Sequence, residues 1–500
     1  MDKAFLALGI LISMPLAFLH AKIITHTPTD KLEYHLSWDG NSTVLKVSLD
    51  YTPFNKDSTV FTYGSENFGG QTDIFKVIQN INCNSSDRIK LTAKERKITI
   101  YHSDDTPKSI NYEINGQLVN NPKRAIYDQL FRPVIAKKTL YMVSSFFMLN
   151  PVIQKASAFS IQWDSFPANM PYFISTAPRT SPLIKQTLAI SKKEDLLLVM
   201  GQDLLITSYN VHGIPYYSIT SKKDTINNLP AELEPFFKSY FPDLRDFWQD
   251  DQAPFYYICA LPLFTSNKSM TGGFGCGNGF MMKYAGKFDE WNKKVIAHET
   301  AHTWIGQGMV IGNSNFDHQW FGEGFDDYVT ILNLVKSGLI DKSGFLNYLN
   351  KNVFLKHYTS PVKEAVNDSI SPNYWKNDNY QKLPYTRGFI YAFYLDNQIR
   401  INSGGTRTIR DFLLALFKKN REIKSIDSTT NLSLNDFITT AANFLPTEHV
   451  DQEIDSFIIQ GRPLDYRKVK LISDFKIDYD GEVPVLKING RTDLQKVFSW

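Results

Sequence analysis

"DEWNKKVIAHETAHTWIGQG", residues 289–308, is the stretch from which the rest of the chain can be read. Trp291, Val295, His298, His302 and Ile305 recur at helical spacing, so the segment predicts an amphipathic helix with both imidazoles on one face. Asp289 suits the N-cap and Gly306 the stop. Two imidazole nitrogens facing the same way can bind Zn²⁺ at about 2.0–2.1 Å. Glu299, one position round the helix from His298, then lies within reach of a water on that metal. With 10 histidines in 500 residues, an accidental H-E-x-x-H has an expectation on the order of 0.01 per chain, which favours a metal centre over two core histidines.

A zinc centre that does chemistry uses three protein ligands and keeps one position open. An extended motif with a distal histidine would need glycine at 305 and histidine at 308, where this chain has Ile305 and Gly308. The carboxylate alternative is supplied by "HQWFGEGFDDYVTILNLVKSG", residues 318–338, which predicts a helix running to about Ser337 with Glu323 just inside it. Glu323 is therefore read as the third ligand, with the loop histidine His318 as its alternative. Asp327, four residues on and on the same face, can accept the free N–H of a ligating imidazole and fix its tautomer. Asp326 and Asp327 also suit the helix dipole simply as first-turn acids.

Outward from this centre, the length of 500 residues suggests about three domains. Hydrophobic content of 43% and charged content of 21% exclude wholesale disorder and coiled coil. A net charge of +3 without a basic stripe excludes nucleic acid as the expected partner. Residues 1–21 read as a secretory signal peptide ending at Ala21, with an N-terminal membrane anchor as the alternative. The expected location is therefore secreted or periplasmic, with no stable membrane insertion after cleavage. Cys83, Cys259 and Cys276 allow one bridge at most.

Residues 22–180 predict an N-terminal antiparallel β domain, with Asp39-Gly40 and Asn115-Gly116 as hairpin turns. In 181–340, apolar runs such as "LLLVMGQDLLITSYNVHGIPYYSI" suit strands buried on both faces, and the period changes after Asp289 to that of a helix. Residues 341–466 predict a helical domain with caps at Thr408 and Ser433. Residues 467–500 predict a short β appendage with turns at Asp480-Gly481 and Asn489-Gly490. The fold class expected is multi-domain α+β.

"HETAH" followed by "WFGEGF" resembles the gluzincin zinc metallopeptidases. "LPYTRGFIYAFYLDNQIRINSGGTRTIRDFLLALF" (383–417) and "IDSFIIQGRPLDY" (454–466) are similar to the glycyl aminopeptidase family, relatives of the aminopeptidase N group. The resemblance spans about Ile190 to Tyr466 and implies a β domain, a thermolysin-like catalytic domain and a helical domain. It also implies one zinc ion, a peptide or protein substrate, and an aminopeptidase-like activity in which a tyrosine stabilises the oxyanion; Tyr385, in "YTRG", occupies that setting, with Tyr380 in reserve.

"SMTGGFGCGNGFMM", Ser269–Met282, takes the place of the family's substrate-aligning strand, which makes Gly272, Gly273, Phe274 and Gly275 the expected substrate-binding residues. Those relatives place a glutamate there to hold the peptide N-terminus, whereas this chain has no acid between Asn267 and Lys287. The relatives also separate the second histidine from the glutamate by eighteen residues, and here twenty intervene. A PDZ domain, also part of the resemblance, does not fit in the 34 residues after Tyr466. The expectation is a zinc peptidase with Glu299 as proton carrier. An endopeptidase or shifted exopeptidase without free-amine recognition is the alternative, and a catalytically idle peptide-binding protein is a further one.

Overall fold

The computed structural model describes residues 31–500 apart from 64–73, 84–85, 117–129, 147, 153–156, 168, 176–184, 191–195, 212, 251–253, 264–269, 277, 314–316 and 375. The expected signal peptide and residues 117–129, which follow Asn115-Gly116, lie outside that set. The chain divides into two compact units, 1–233 with 253–296, and 234–252 with 297–500. The division crosses the segments drawn from sequence at 180/181 and 340/341, because the middle sheet groups with the β region and the second half of the histidine helix groups with the helices.

In the first unit, Lys31–Ser37 and Val44–Tyr51 form the hairpin predicted around Gly40, whose φ is +81°. They lie inside a six-stranded sheet in which Val44–Tyr51 alternates between buried and less buried positions. The sheet is not wholly antiparallel: Lys31–Ser37 also pairs in parallel with Ser157–Ser165. A parallel neighbour needs a crossover connection, and here the chain leaves the sheet after Lys108–Asn115 and visits two other sheets, through Val134–Ala136, Thr139–Val143 and Asn150–Pro151, before Ser157–Ser165. Leu36, Trp38, Leu45, Ile98, Ile114 and Trp163 belong to the core below.

A second core in this unit joins Tyr141, Phe173 and Val199 to Ile219, Tyr257, Phe274 and Met281 of a five-stranded sheet. That sheet runs in the order Leu204–Val211, Ile214–Ser221, Tyr256–Pro262, Gly279–Ala285, Met270–Gly275. Tyr256–Ala260 is buried throughout, as the apolar run suggests, whereas Leu204–Val211 is an edge strand with one face exposed. The three cysteines are free thiols.

The second unit is helical. Helix α1, Glu290–Ala301, enters it; α2, Asp326–Lys336, continues a π-helical turn over Trp320–Phe325; α3 is the 25-residue Asp378–Asn402. Helices α4, Ile409–Ile426, and α5, Leu434–Ala441, open on complete capping boxes, Thr408 with Asp411 and Ser433 with Asp436. The tail forms the expected hairpin, Phe475–Asp480 with Val483–Ile488. Asn489-Gly490, however, leads into a short helix, Leu494–Val497, capped by Asp493, and not into a third strand. The tail packs on its own unit: Asn350 exchanges two hydrogen bonds with the Leu486 backbone, and Phe498 packs on Phe345. No helix of the described residues is long and apolar enough to cross a membrane.

Candidate metal centre

The histidine helix is fixed at its start by a reciprocal cap. Asp289 Oδ1 accepts from the N–H groups of Trp291 and Asn292, and Asn292 Oδ1 accepts from the N–H of Asp289. The regular helix ends at Ala301, yet His302 N–H still bonds to the His298 carbonyl at 3.3 Å, so the i, i+4 relation of the two rings survives. The chain then turns at Gly306 with φ +80°. A Cβ there would lie 3.0 Å from the Gly322 carbonyl oxygen and 3.1 Å from its Cα, so the turn after His302 rests directly on the backbone beside Glu323.

Glu323 stands in the π turn, and Gly324 beside it meets α3. A Cβ on Gly324 would fall 2.3 Å from the Gly388 Cα, and one on Gly388 would fall 1.8 Å from the Trp320 carbonyl oxygen. Two glycines thus let the carboxylate segment and the tyrosine helix cross backbone to backbone. A π turn of this kind is frequent at functional sites, where it re-aims a side chain.

The side chains then converge. His298 Nε2 and His302 Nε2 are 3.1 Å apart, and Glu323 Oε2 lies 3.5 Å from the first and 3.8 Å from the second. All three residues are buried, at most 5% exposed. The outer edges of the rings face acceptors: His298 Nδ1 meets Asp327 Oδ1 at 2.7 Å and Asp326 Oδ2 at 2.9 Å, and His302 Nδ1 meets the Ile305 carbonyl at 3.0 Å. A carbonyl or carboxylate oxygen only accepts, so the ring protons sit on Nδ1 and both Nε2 atoms carry lone pairs. Two lone pairs and a carboxylate oxygen turned toward one another call for a cation. Ligand atoms about 2.0–2.1 Å from a tetrahedral zinc stand about 3.3 Å apart, close to the observed separations. The donor set fits Zn²⁺.

Around this triangle, Glu299 is buried on α1 at 5% exposure. Tyr385, half-buried in the second turn of α3, sets its ring 5.9 Å from that of His298. Burial, followed by the negative charge of Glu323, holds the Tyr385 phenol well above its usual pKa, so the hydroxyl keeps its proton. Burial also pushes the Asp326 carboxyl up to about 7. Asp327 is held in place from behind by the Tyr348 hydroxyl, which donates to Oδ2 at 2.8 Å.

The predicted His298, Glu299, His302, Glu323, Asp327 and Tyr385 all fall in the helical unit or on the helix that enters it. His318 instead accepts from the Trp320 indole at 3.2 Å, and Tyr380 packs with Ile370, Tyr374 and Leu383. Gly272, Gly273, Phe274 and Gly275 belong to the first unit, on the edge strand Met270–Gly275. There Gly273 answers a packing demand, because a Cβ would strike the Phe280 ring, and Phe274 packs on Phe131. Sequence reasoning missed Tyr348, for which no spacing signal exists. It left Asp326 as a dipole acid, although its i+3 relation to Glu323 is the second helical neighbour position.

Residues 281–458 match the peptidase family M1 domain. That stretch is similar to the M1 peptidases. A 184-residue stretch is 28% identical to Leucine aminopeptidase 2-2 of Meyerozyma guilliermondii, covering 34% of this chain and 27% of that protein. Another, of 140 residues, is 29% identical to Leucine aminopeptidase 2 of Candida glabrata, covering 26% and 20%. The chain thus spans about a quarter of the length of these curated relatives. Its fold is similar to that of an aminopeptidase N family protein from Idiomarina loihiensis, with a TM-score of 0.67 and 16% identity over 87% of this chain and 77% of that one. The matched stretch holds His298, His302, Glu323 and Tyr385.

Proposed function

We propose that this chain is a zinc-dependent peptidase that hydrolyses peptide bonds, with an aminopeptidase-like preference. The observation that carries the reading is the convergence of His298 Nε2, His302 Nε2 and Glu323 Oε2 within 3.8 Å. These three residues would hold one Zn²⁺, which when bound polarises a carbonyl and acidifies a water. Glu299, buried beside His298, takes a proton from the attacking water and delivers it to the departing amine. Tyr385, kept protonated, donates a hydrogen bond to the oxygen on which negative charge develops. Asp327 and the Ile305 carbonyl keep the Nδ1 protons in place, which leaves each Nε2 free to ligate.

The absence of any acid between Asn267 and Lys287 favours a second reading, an endopeptidase or shifted exopeptidase that does not grip a free amine. Metal analysis of the purified protein, combined with hydrolysis of matched free and N-blocked peptides, decides. Zinc near one equivalent with preference for free amino termini supports the aminopeptidase reading; rapid cutting of blocked peptides replaces it with the second. Glu299→Gln should abolish turnover with zinc content intact, and unchanged turnover would defeat the assigned proton path. Secretion or export to a periplasm, proposed from residues 1–21, is tested by N-terminal sequencing. A mature start near Lys22 supports it, and residues 1–21 retained in a membrane fraction support an anchor.

A further inference from the structure

We propose that Asp326 is a positioning residue that couples the two metal-holding imidazoles through their outer edges, an inference that rests on the zinc reading above. Its carboxylate is fully buried, with Oδ2 2.9 Å from His298 Nδ1 and Oδ1 3.5 Å from His302 Nδ1. The Thr330 hydroxyl, one turn on, lies 3.4 Å from Oδ2 and donates to it.

Neither imidazole needs Asp326 to set its tautomer. Asp327 already faces His298 Nδ1 at 2.7 Å, and the Ile305 carbonyl faces His302 Nδ1 at 3.0 Å. What Asp326 adds is a single rigid group against both rings. It also stands three residues after Glu323, so the segment that presents the third ligand carries the brace for the other two. Rotation of either ring away from the centre then strains a contact shared with its neighbour.

His298, His302 and Asp326 could also group around a cation themselves, since each offers a ligand atom within 4.8 Å of the others. The geometry points away from that use. Asp326 lies on the Nδ1 edges, and His302 Nδ1 faces a carbonyl that requires it to carry a proton, so no lone pair is available there. The lone pairs converge on the opposite edges with Glu323.

The test is a zinc affinity measured on the full chain, metal-stripped and titrated in competition with a chromogenic chelator. Asp326→Asn can accept from one imidazole through its oxygen but presents N–H to the other. It should weaken zinc binding ten- to hundredfold, the range seen when groups that orient a metal-holding imidazole are disturbed. The visible absorption of the cobalt-substituted protein should shift with it. A zinc Kd within twofold of wild type, with an unshifted cobalt spectrum, overturns the proposal. Should the variant fail to fold, diffraction from zinc-loaded wild type decides: the carboxylate retained against both Nδ1 atoms supports the brace, and an Asp326 oxygen bonded to the metal overturns it. Wild type that takes up no stoichiometric zinc overturns the zinc reading itself, a result distinct from equal affinities in wild type and variant.

Discussion

The rings of His298 and Tyr385 lie 5.9 Å apart between centroids, with their planes 30° from parallel. The phenol therefore stands beside the ring that Asp326 and Asp327 hold. Its proton is retained because burial and the Glu323 charge both oppose ionisation. Tyr385→Phe keeps the ring and removes the donor. We expect kcat on a peptide substrate to fall by about 10²–10³, the range for losing one oxyanion donor, with KM changed less than a few-fold and zinc content unchanged. Wild-type kcat in the variant would remove Tyr385 from the mechanism.

Metal removal should loosen the helical unit. Without a cation, the buried Glu323 carboxyl and the two lone-pair Nε2 atoms face one another at short range. A ligand at 1,000 times its Kd contributes about 4.1 kcal/mol to the folded state. Chelation should accordingly lower Tm by several degrees in calorimetry, and added zinc should restore it. In Glu323→Gln the same addition should leave Tm nearly where it was; full restoration there would show that the carboxylate is not a ligand.

Gly388 has no room for a side chain, since a Cβ would sit 1.8 Å from the Trp320 carbonyl oxygen. Gly388→Ala must push α3 away from the π turn, at a cost of about 2 kcal/mol or more. Denaturant unfolding should register that loss, and Gly490→Ala, where nothing lies within 4 Å of the added carbon, should not. Equal midpoints for the two variants would mean that the helix crossing yields easily.

His357 gives a pH dependence away from the metal. It is fully buried, and burial, helped by the Arg387 charge, lowers its pKa to about 3. Between pH 6.5 and 3 the unfolded chain binds a proton that the folded chain refuses, so stability rises with pH across that window and is lost as pH falls through it. The slope is about 1.4 kcal/mol per pH unit for one proton. Below pH 3 this residue adds no further dependence. His357→Gln should flatten the acid side of a stability-versus-pH curve by about that slope; an unchanged curve would mean that the ring takes up a proton in place.

Much of this was legible because it is local. Ser433 with Asp436 and Thr408 with Asp411 are caps written within four residues, and His298 with His302 and Glu323 with Asp327 each stand at i, i+4. What escaped depends on distant partners. The parallel pairing of Lys31–Ser37 joins strands more than a hundred residues apart. Asp326 and Asp327 both reach His298 after a π turn, where a strict 3.6-residue period singles out one acid. Gly324 and Gly388, inside helical segments, read as weak helix formers until the crossing gives them a purpose.

Gly306 seated on Gly322 has one more implication. The second imidazole and the carboxylate are aligned by the close approach of their own flanks, and the chain just beyond is tied to the helical unit, with the Gly312 N–H on the Leu432 carbonyl, the Asn420 amide on the Gly308 carbonyl and Met309 buried. Bulk added at that approach should therefore not be forgiven, and Gly306→Ala should cost the protein its grip on metal, read as zinc content.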